Sequence, residues 1–135
     1  MNEARRILAA TPGMGLGSIP VVGTLAPGWS LRPQQGVWSP TKNHVLVMQS
    51  DNNLVIYDEA WHAIWASNTR SGAVRAIMQT DGNFVLYRSP TSTLPRDAVW
   101  NTGTYGNPGA WLFMQNDGNL VVYDANDRAL WASGT

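Results

Sequence analysis

The alternation of apolar and polar positions along this chain occurs three times with the same spacing. Each copy has a short apolar run, a polar turn around an aspartate and a second apolar run. The copies read MQSDNNLVIYD at 48–58, MQTDGNFVLYR at 78–88 and MQNDGNLVVYD at 114–124. Apolar β-formers on both sides of Asp-Asn or Asp-Gly predict a hairpin in each copy. The threefold repetition indicates a repeat architecture.

The register of the first hairpin depends on which side chains share a face. A two-residue loop at 51–52 would put polar and apolar side chains on the same face. A three-residue loop at 51–53 places Gln49 opposite Val55, and it separates a face with polar side chains from a wholly apolar face. The last loop residue is then expected to be left-handed, which suits Asn or Gly. The predicted faces are Val47, Gln49, Val55 and Tyr57 on one side and Leu46, Met48, Leu54 and Ile56 on the other.

Five positions are shared by all three copies, in the pattern Gln-x-Asp-x-Asn-x-Val-x-Tyr. The members are Gln49, Asp51, Asn53, Val55 and Tyr57; Gln79, Asp81, Asn83, Val85 and Tyr87; and Gln115, Asp117, Asn119, Val121 and Tyr123. One face of each hairpin therefore offers amides, a carboxylate, a phenol and a small apolar wall, a surface that suits hydroxyl-rich ligands. Turn chemistry alone would not require the glutamine, valine and tyrosine at fixed offsets, so the pattern favours binding over a purely structural role.

A tryptophan follows each hairpin and is expected to begin a third strand, at Trp65, Trp100 and Trp131. The spacing from the motif glutamine to the tryptophan is 16, 21 and 16 residues. The longer spacing falls on the Ser/Thr/Pro segment 89–97, which is predicted to be a surface loop. Three sheets with one apolar face each must bury those faces against one another. We therefore expect an all-β prism with the three tryptophans and the column of Met48, Met78 and Met114 in its core.

The three intact motifs resemble those of the monocot mannose-binding (bulb-type) lectin family, over roughly residues 23–135. The opening of that region is also similar to the family's, at Gly23, Leu25, Gly28 and Leu31. The resemblance implies a β-prism II fold of three antiparallel sheets with an internal threefold repeat. It also implies a lectin that binds mannose or mannose-rich glycans at up to three sites.

On the family's pattern, the glutamine, aspartate and asparagine bond the 2- and 3-hydroxyls of mannose, the tyrosine bonds the 4-hydroxyl and the valine packs on the ring carbons. These roles carry over to the five residues of each copy. Many plant members have a disulfide whose positions here are Asn52 and Val74, so the chain is more similar to non-plant members. That similarity leaves an alternative open, a lectin-like bacteriocin or assembly module that binds bacterial surface polysaccharide or a protein.

Charge and hydropathy exclude other classes of partner. The chain has nine basic and nine acidic residues. It therefore lacks the excess of positive charge that would favour binding to nucleic acid or to an acidic membrane. No apolar run reaches the length of a membrane span, so no membrane insertion is expected. Cysteine is absent, which leaves the redox compartment open.

Neither a metal site nor catalysis is expected, and no cofactor. The segments 51–53 and 81–83 are similar to the start of a calcium-binding EF-hand loop, but that loop needs a bidentate glutamate at position 12. In the three copies, the residues at that position are His62, Ser92 and Arg128. The two histidines, His44 and His62, have no metal-ligand or triad setting. Three carboxylates on three separate sheets cannot form the close pair of a glycosidase.

Residues 1–22 stand apart from the domain at 23–135. They are expected to be an extension that is loose or packs on the domain or on a partner chain. Glu3, Pro12 and several glycines make a poor signal peptide of this segment. The compartment is left open between the cytoplasm and release by a non-classical route.

Association is expected through the last strand. The sequence ends at Thr135 on the third strand of the third copy, and an open sheet edge favours pairing with another chain. The family resemblance implies exchange of this strand between protomers. We therefore predict a homodimer or higher homo-oligomer in which residues 131–135 cross between chains, with the apolar stretch 14–22 as a second contact.

Overall fold

The computed structural model describes residues 22–69 and 72–135, which form twelve β-strands and one short 3₁₀ helix. The strands are β1 (Thr24–Leu25), β2 (Ser30–Leu31), β3 (Gln35–Trp38), β4 (His44–Met48), β5 (Leu54–Asp58), β6 (Ala63–Ala66), β7 (Arg75–Met78), β8 (Phe84–Tyr87), β9 (Ala98–Asn101), β10 (Trp111–Met114), β11 (Leu120–Tyr123) and β12 (Ala129–Ala132), and the helix is Pro95–Asp97.

The strands form three four-stranded antiparallel sheets, one for each copy of the repeat. The first sheet has the order β3-β4-β5-β6, the second β2-β7-β8-β9 and the third β1-β10-β11-β12. Each sheet holds one hairpin, the strand that follows it and one strand from the segment before the first copy. The prediction of an all-β fold with three antiparallel sheets and an internal threefold repeat is confirmed.

Residues 22–38 supply one edge strand to every sheet. β1 pairs with β10, β2 with β7 and β3 with β4. Leu25 and Leu31 are fully buried, and they anchor the two shortest strands in the core. Gly28, with φ of +88°, turns the chain between them in a conformation that costs glycine little.

The hairpin turns contain three residues, but they start one residue earlier than the sequence predicts. The Gln49 N–H donates to the Asn53 carbonyl at 2.9 Å, and Val55 pairs with Val47. The loop is therefore 50–52, and the predicted pairing of Gln49 with Val55 is wrong.

The left-handed residue of each turn explains this register. It is the last residue of the loop, Asn52, Gly82 or Gly118, with φ of 73°, 93° and 88°. Asn and Gly adopt this conformation at small cost. Because the loop starts one residue earlier, each residue pairs with a partner two positions away from the predicted one. A shift of two positions keeps every side chain on its predicted face. The predicted faces of the hairpin are therefore correct.

The inner faces of the three sheets meet in one hydrophobic core. In the first sheet this face carries Leu46, Met48, Leu54 and Ile56. The outer face carries a separate small cluster that includes Val47, Val55 and Tyr57. The column of Met48, Met78 and Met114 is fully buried, as predicted. Its flexible side chains fill the space between the sheets.

The three repeat tryptophans meet as the sequence predicts. The ring centroids of Trp65 and Trp100 lie 5.7 Å apart, those of Trp100 and Trp131 5.7 Å, and those of Trp65 and Trp131 5.8 Å, all edge to face. Such pairs are favoured by the aromatic quadrupole. The rings are partly buried rather than fully buried, because each lies on the last strand of its sheet, which has a neighbour on one side only.

The third strands begin two residues earlier than predicted. In the first sheet Ile56 pairs with Trp65, but Tyr57 pairs with Ala63, so Ile64 is an extra residue. Because of this β-bulge, β6 pairs with β5 on both sides of the extra residue, and the strand begins at Ala63 rather than at Trp65. The same shift occurs in the second and third sheets. Segment 89–97 of the second sheet is a loop that ends in the 3₁₀ helix.

Apart from Val22, the expectations for residues 1–22 lie outside the described residues. No helix within residues 22–69 and 72–135 is long and apolar enough to cross a membrane.

We expect the tryptophan cluster to contribute strongly to stability. Trp100→Ala removes a ring that contacts Trp65, Trp131 and Phe84, and it should lower the free energy of unfolding by about 3 kcal/mol. Trp29→Ala is the matched control, because Trp29 is 55% exposed. Urea denaturation of both variants measures the difference. Equal losses of stability would contradict the role of the cluster.

Candidate functional site

The five motif residues of each copy lie around one hairpin turn on the outer side of a sheet. In the first copy, Gln49 follows β4, Asp51 lies in the turn and Asn53 precedes β5, which carries Val55 and Tyr57. The second copy uses β7 and β8 in the same way, and the third copy uses β10 and β11. The fold thus brings the fifteen predicted residues together as three groups of five.

A chain of hydrogen bonds links the tyrosine, glutamine and aspartate of each copy. The Tyr57 hydroxyl donates to Gln49 Oε1, and Gln49 Nε2 donates to both carboxylate oxygens of Asp51 at 3.1 Å. The same bonds occur in the second and third copies, with nitrogen–oxygen distances from 2.9 to 3.2 Å. Both ends of the glutamine amide are engaged, so its orientation is fixed without a ligand.

The aspartate also organises the turn. Its Oδ1 atom accepts the N–H of the motif asparagine, at 3.0 Å in the first copy and 2.9 Å in the other two. A short acceptor side chain that bonds the backbone two residues later is typical of Asx turns. Oδ1 thus accepts from the backbone and from the glutamine amide, whereas Oδ2 accepts from the glutamine amide alone.

These bonds lower the pKa of Asp117. The main cause is the hydrogen bond from the Asn119 N–H, followed by the one from the Gln115 side chain. A depressed carboxyl pKa stabilises the fold above the pKa of the unfolded chain, and that contribution is lost as the pH falls through the folded pKa. The third copy therefore keeps its carboxylate ionised to a lower pH than an unperturbed aspartate would.

The motif asparagine joins the hairpin to the third strand. Asn53 Oδ1 accepts the Asn68 N–H at 2.9 Å and the Ser67 hydroxyl at 3.2 Å. Asn119 accepts the equivalent Gly134 N–H and Ser133 hydroxyl, whereas Asn83 accepts the Thr102 hydroxyl and the Thr104 N–H. The carbonyl end of this side chain is therefore used by the protein in every copy, and the Asn83 amide nitrogen also donates to Asn101 Oδ1 at 3.4 Å.

Hydroxyl side chains that follow the third strands complete each turn, and they were not among the predicted site residues. Thr69 donates to the Asn52 carbonyl at 2.8 Å, Thr104 to Gly82 at 2.6 Å and Thr135 to Gly118 at 2.6 Å. A second hydroxyl, Ser67, Thr102 or Ser133, lies 2.8 Å from each threonine. The signal was the shared spacing Trp-x-Ser/Thr-x-Thr in all three copies.

The polar groups of the motif define the chemistry of the site. The glutamine and asparagine amides can donate, and the aspartate carboxylate can accept, in orientations that the hydrogen bonds within the motif hold. This set of fixed donors and acceptors around a valine matches a ligand whose neighbouring hydroxyls both donate and accept. It includes no nucleophile paired with a base.

The three copies differ in the residue that pairs with the tyrosine across the hairpin. Val45 pairs with Tyr57, Arg75 with Tyr87 and Trp111 with Tyr123. The Trp111 ring stacks on Tyr123 with centroids 5.1 Å apart. In the second copy, burial raises the pKa of Tyr87, and the nearby Asp81 carboxylate raises it further. Each site therefore has a common centre and a distinct border.

The second copy lines a distinct depression in the surface. All five of its motif residues border one cavity of about 330 Å³. In the first copy, Gln49 and Asn53 are only 5% and 3% exposed. The motif of the first copy is thus the more enclosed of the two.

Within the described parts of the chain, no three His, Asp or Glu side chains are grouped so that they would hold a metal ion.

Known proteins are similar to this chain in sequence and in structure. No protein-family model matches the chain. A mannose-specific lectin of Aloe arborescens is 33% identical over 91 residues, which are 66% of this chain and 77% of the relative. The aligned regions cover only 53% and 33% of two other curated relatives, so this chain spans about half or less of their lengths.

Solved structures share the fold. A monocot mannose-binding lectin from Gastrodia elata is 36% identical, with a TM-score of 0.70 over 84% of this chain and 97% of its own. The mannose-specific agglutinin from snowdrop (Galanthus nivalis), solved with methyl-α-D-mannoside, is 34% identical, with a TM-score of 0.64 over 84% and 96%. The β-prism II expectation is confirmed.

We expect the hydroxyl of Thr104 to stabilise the second turn. Thr104→Val keeps the side-chain shape but leaves the buried Gly82 carbonyl without this donor, which should cost about 1–2 kcal/mol in the free energy of unfolding. Thr24→Val on an exposed strand position is the matched control. Thermal or urea denaturation distinguishes the variants, and an unchanged Thr104→Val protein would contradict this assignment.

Proposed function

The chain belongs to the bulb-type mannose-binding lectin family, and we propose that it binds mannose at all three copies of its motif. The family is non-enzymatic. The proposed sites are the fifteen motif residues, five on each sheet. Mannose-rich glycans would be the ligands in which several sites engage together.

The observation that carries this proposal is the repeated hydrogen-bond chain from tyrosine to glutamine to aspartate. It has the same atoms and donor directions in three sheets whose neighbouring residues differ. A purely structural turn needs the aspartate and the left-handed residue after it. It does not need a tyrosine whose hydroxyl orients the glutamine amide.

The chemistry fits a sugar with neighbouring hydroxyls. An ionised carboxylate accepts a strong, charge-assisted hydrogen bond from a hydroxyl. The amide N–H groups of the glutamine and asparagine donate to hydroxyl oxygens, and the tyrosine oxygen accepts. The valine presents an apolar surface to the ring carbons. Mannose is selected in this scheme because its axial 2-hydroxyl lies within reach of the aspartate.

A single site of this kind should be weak. A shallow polar surface binds a monosaccharide at roughly millimolar concentration, about −4 kcal/mol. Several sites on one molecule, and more on an oligomer, convert weak contacts into strong binding to a polymer. We therefore expect tight binding to branched mannan and poor inhibition by free mannose.

The carboxylates give the most direct test of the sites. A triple variant, Asp51→Asn with Asp81→Asn and Asp117→Asn, removes a charge-assisted hydrogen bond worth about 1.5–3 kcal/mol from each site. Asparagine keeps an oxygen for the backbone N–H, so the turn should persist and the melting temperature should stay near the wild type. Mannan binding, measured on an immobilised surface, should be lost.

Asp127→Asn, an exposed aspartate outside the motif, is the control and should bind mannan like the wild type. Glucose and galactose should compete poorly against the wild type. Mannan binding that survives in a folded triple variant would show that the motif is structural. A glycan array that shows bacterial polysaccharide bound in preference to mannose would favour the bacteriocin-like alternative.

Oligomerisation by strand exchange is a separate proposal. In the single chain, β12 pairs with β11 of the same chain and is an edge strand. Exchange would keep the same pairs, such as Val122 with Trp131, between protomers. The Gastrodia elata relative is described as monomeric, so the family does not decide the state of this chain.

Light scattering at micromolar concentration tests the association. We expect the mass of a dimer or a larger oligomer, with loss of that mass when the chain is shortened before Trp131. A monomer mass for the intact chain would refute strand exchange.

A further inference from the structure

The second copy has surroundings that the other two lack. Between β8 and β9 the chain runs through the long segment 88–97, whereas the links 59–62 and 124–128 in the first and third sheets are short. The long segment and the residue at position 75 are the main differences between the three sites. The rest of the motif geometry is the same.

Arg75 holds this segment in place. Arg75 is only 8% exposed, and its guanidinium lies 5.3 Å from the centre of the Tyr87 ring, within cation–π range. It donates to the Pro90 carbonyl at 3.1 Å and to the Ser92 carbonyl at 2.7 Å. The valine and tryptophan at this position in the other copies cannot make such bonds. The loop is thus attached to β7, the strand that leads to Gln79.

The segment also holds its own shape. The Ser92 hydroxyl donates to Asp97 at 2.5 Å and accepts the Leu94 N–H at 3.1 Å. The Asp97 backbone N–H donates to the Leu94 carbonyl at 2.9 Å. These bonds place the Thr93 carbonyl 3.4 Å from the Tyr87 hydroxyl. The loop therefore forms a wall directly beside the motif tyrosine.

Tyr105 also lines the cavity of the second copy. The residue is 75% exposed, and the backbone that follows it is held against the motif turn. The N–H groups of Gly106 and Asn107 donate to the Asp81 carbonyl at 2.9 and 3.0 Å. Asn107 lies so close to the motif turn that a Cβ at Gly82 would meet its carbonyl oxygen at 2.2 Å. The backbone beside Tyr105 is thereby held against the motif turn, and its aromatic side chain lines the cavity of the site.

Two depressions meet at the motif of the second copy. The cavity of about 330 Å³ contains the five motif residues with Thr93 and Tyr105. A second cavity of about 290 Å³ is also lined by Gln79, Asp81 and Thr93. The open space beside the second motif is therefore not limited to the cavity that the five motif residues line.

We propose that the second copy is an extended site for an α-linked mannose oligosaccharide of two or more residues. It rests on the mannose binding proposed above. One mannose occupies the motif, and the next packs its C–H face on the Tyr105 ring while its hydroxyls meet the polar backbone of segment 88–97. Burial of roughly 50–60 Å² of apolar surface against the ring supplies about a tenfold gain in affinity.

Two variants that each keep one site test this proposal. Asp51→Asn with Asp117→Asn leaves the second copy, and Asp81→Asn with Asp117→Asn leaves the first. Calorimetry with methyl α-mannoside and an α-linked dimannoside gives an affinity ratio for each protein. We expect a ratio of about ten for the second copy. The first copy should show about two, the statistical factor for a ligand with two mannose residues.

Tyr105 provides the second arm of the experiment. In the protein that keeps the second copy, Tyr105→Ala should lower the ratio to about two, whereas Tyr105→Phe retains the ring and should preserve it. Because the side chain is 75% exposed, both variants should fold. Equal ratios in the two single-site proteins, or a ratio insensitive to Tyr105→Ala, would overturn the extended site. Absence of methyl α-mannoside binding in both proteins would refute the mannose sites themselves, and the subsite with them.

Discussion

The hydrogen bonds of the motif aspartate are the interaction on which the rest of the structure depends. One carboxylate oxygen closes the hairpin turn, and the same group holds the glutamine amide, whose other end is held by the tyrosine. The turn, the register of the strands and the orientation of the site are therefore fixed together. A side chain that faces the solvent organises both the fold of its repeat and the geometry of its binding surface.

The parts of the fold that repeat could be predicted from the sequence because repetition removes ambiguity. Alternation of apolar positions gave the faces of the first hairpin, and three copies required three sheets. The exact pairing was missed, because the choice between Asn52 and Asn53 as the left-handed residue depends on which asparagine the third strand uses. Asn53 is engaged by Ser67 and Asn68, a contact between distant residues, although the glycines at the equivalent positions 82 and 118 were a local signal for the observed register.

The candidate site, like the fold, was predicted from the sequence only in part. Its fifteen residues could be found from their spacing, and the fold groups them as expected. The threonines that complete each turn were missed because a hydroxyl on a strand end has many ordinary roles. The differences between copies were also missed. They come from single residues, such as Arg75 and Trp111, that pair with the tyrosine only once the register is known.

Three preorganised glutamine amides lie in the three proposed mannose sites. Titration of isotope-labelled protein with methyl α-mannoside, followed by NMR, observes these groups directly. The side-chain N–H₂ signals of Gln49, Gln79 and Gln115 should shift together with the backbone signals of the three turns, while methyl β-galactoside leaves them in place. Shifts confined to residues outside the three turns, or glutamine signals that do not respond to the mannoside, would contradict the account.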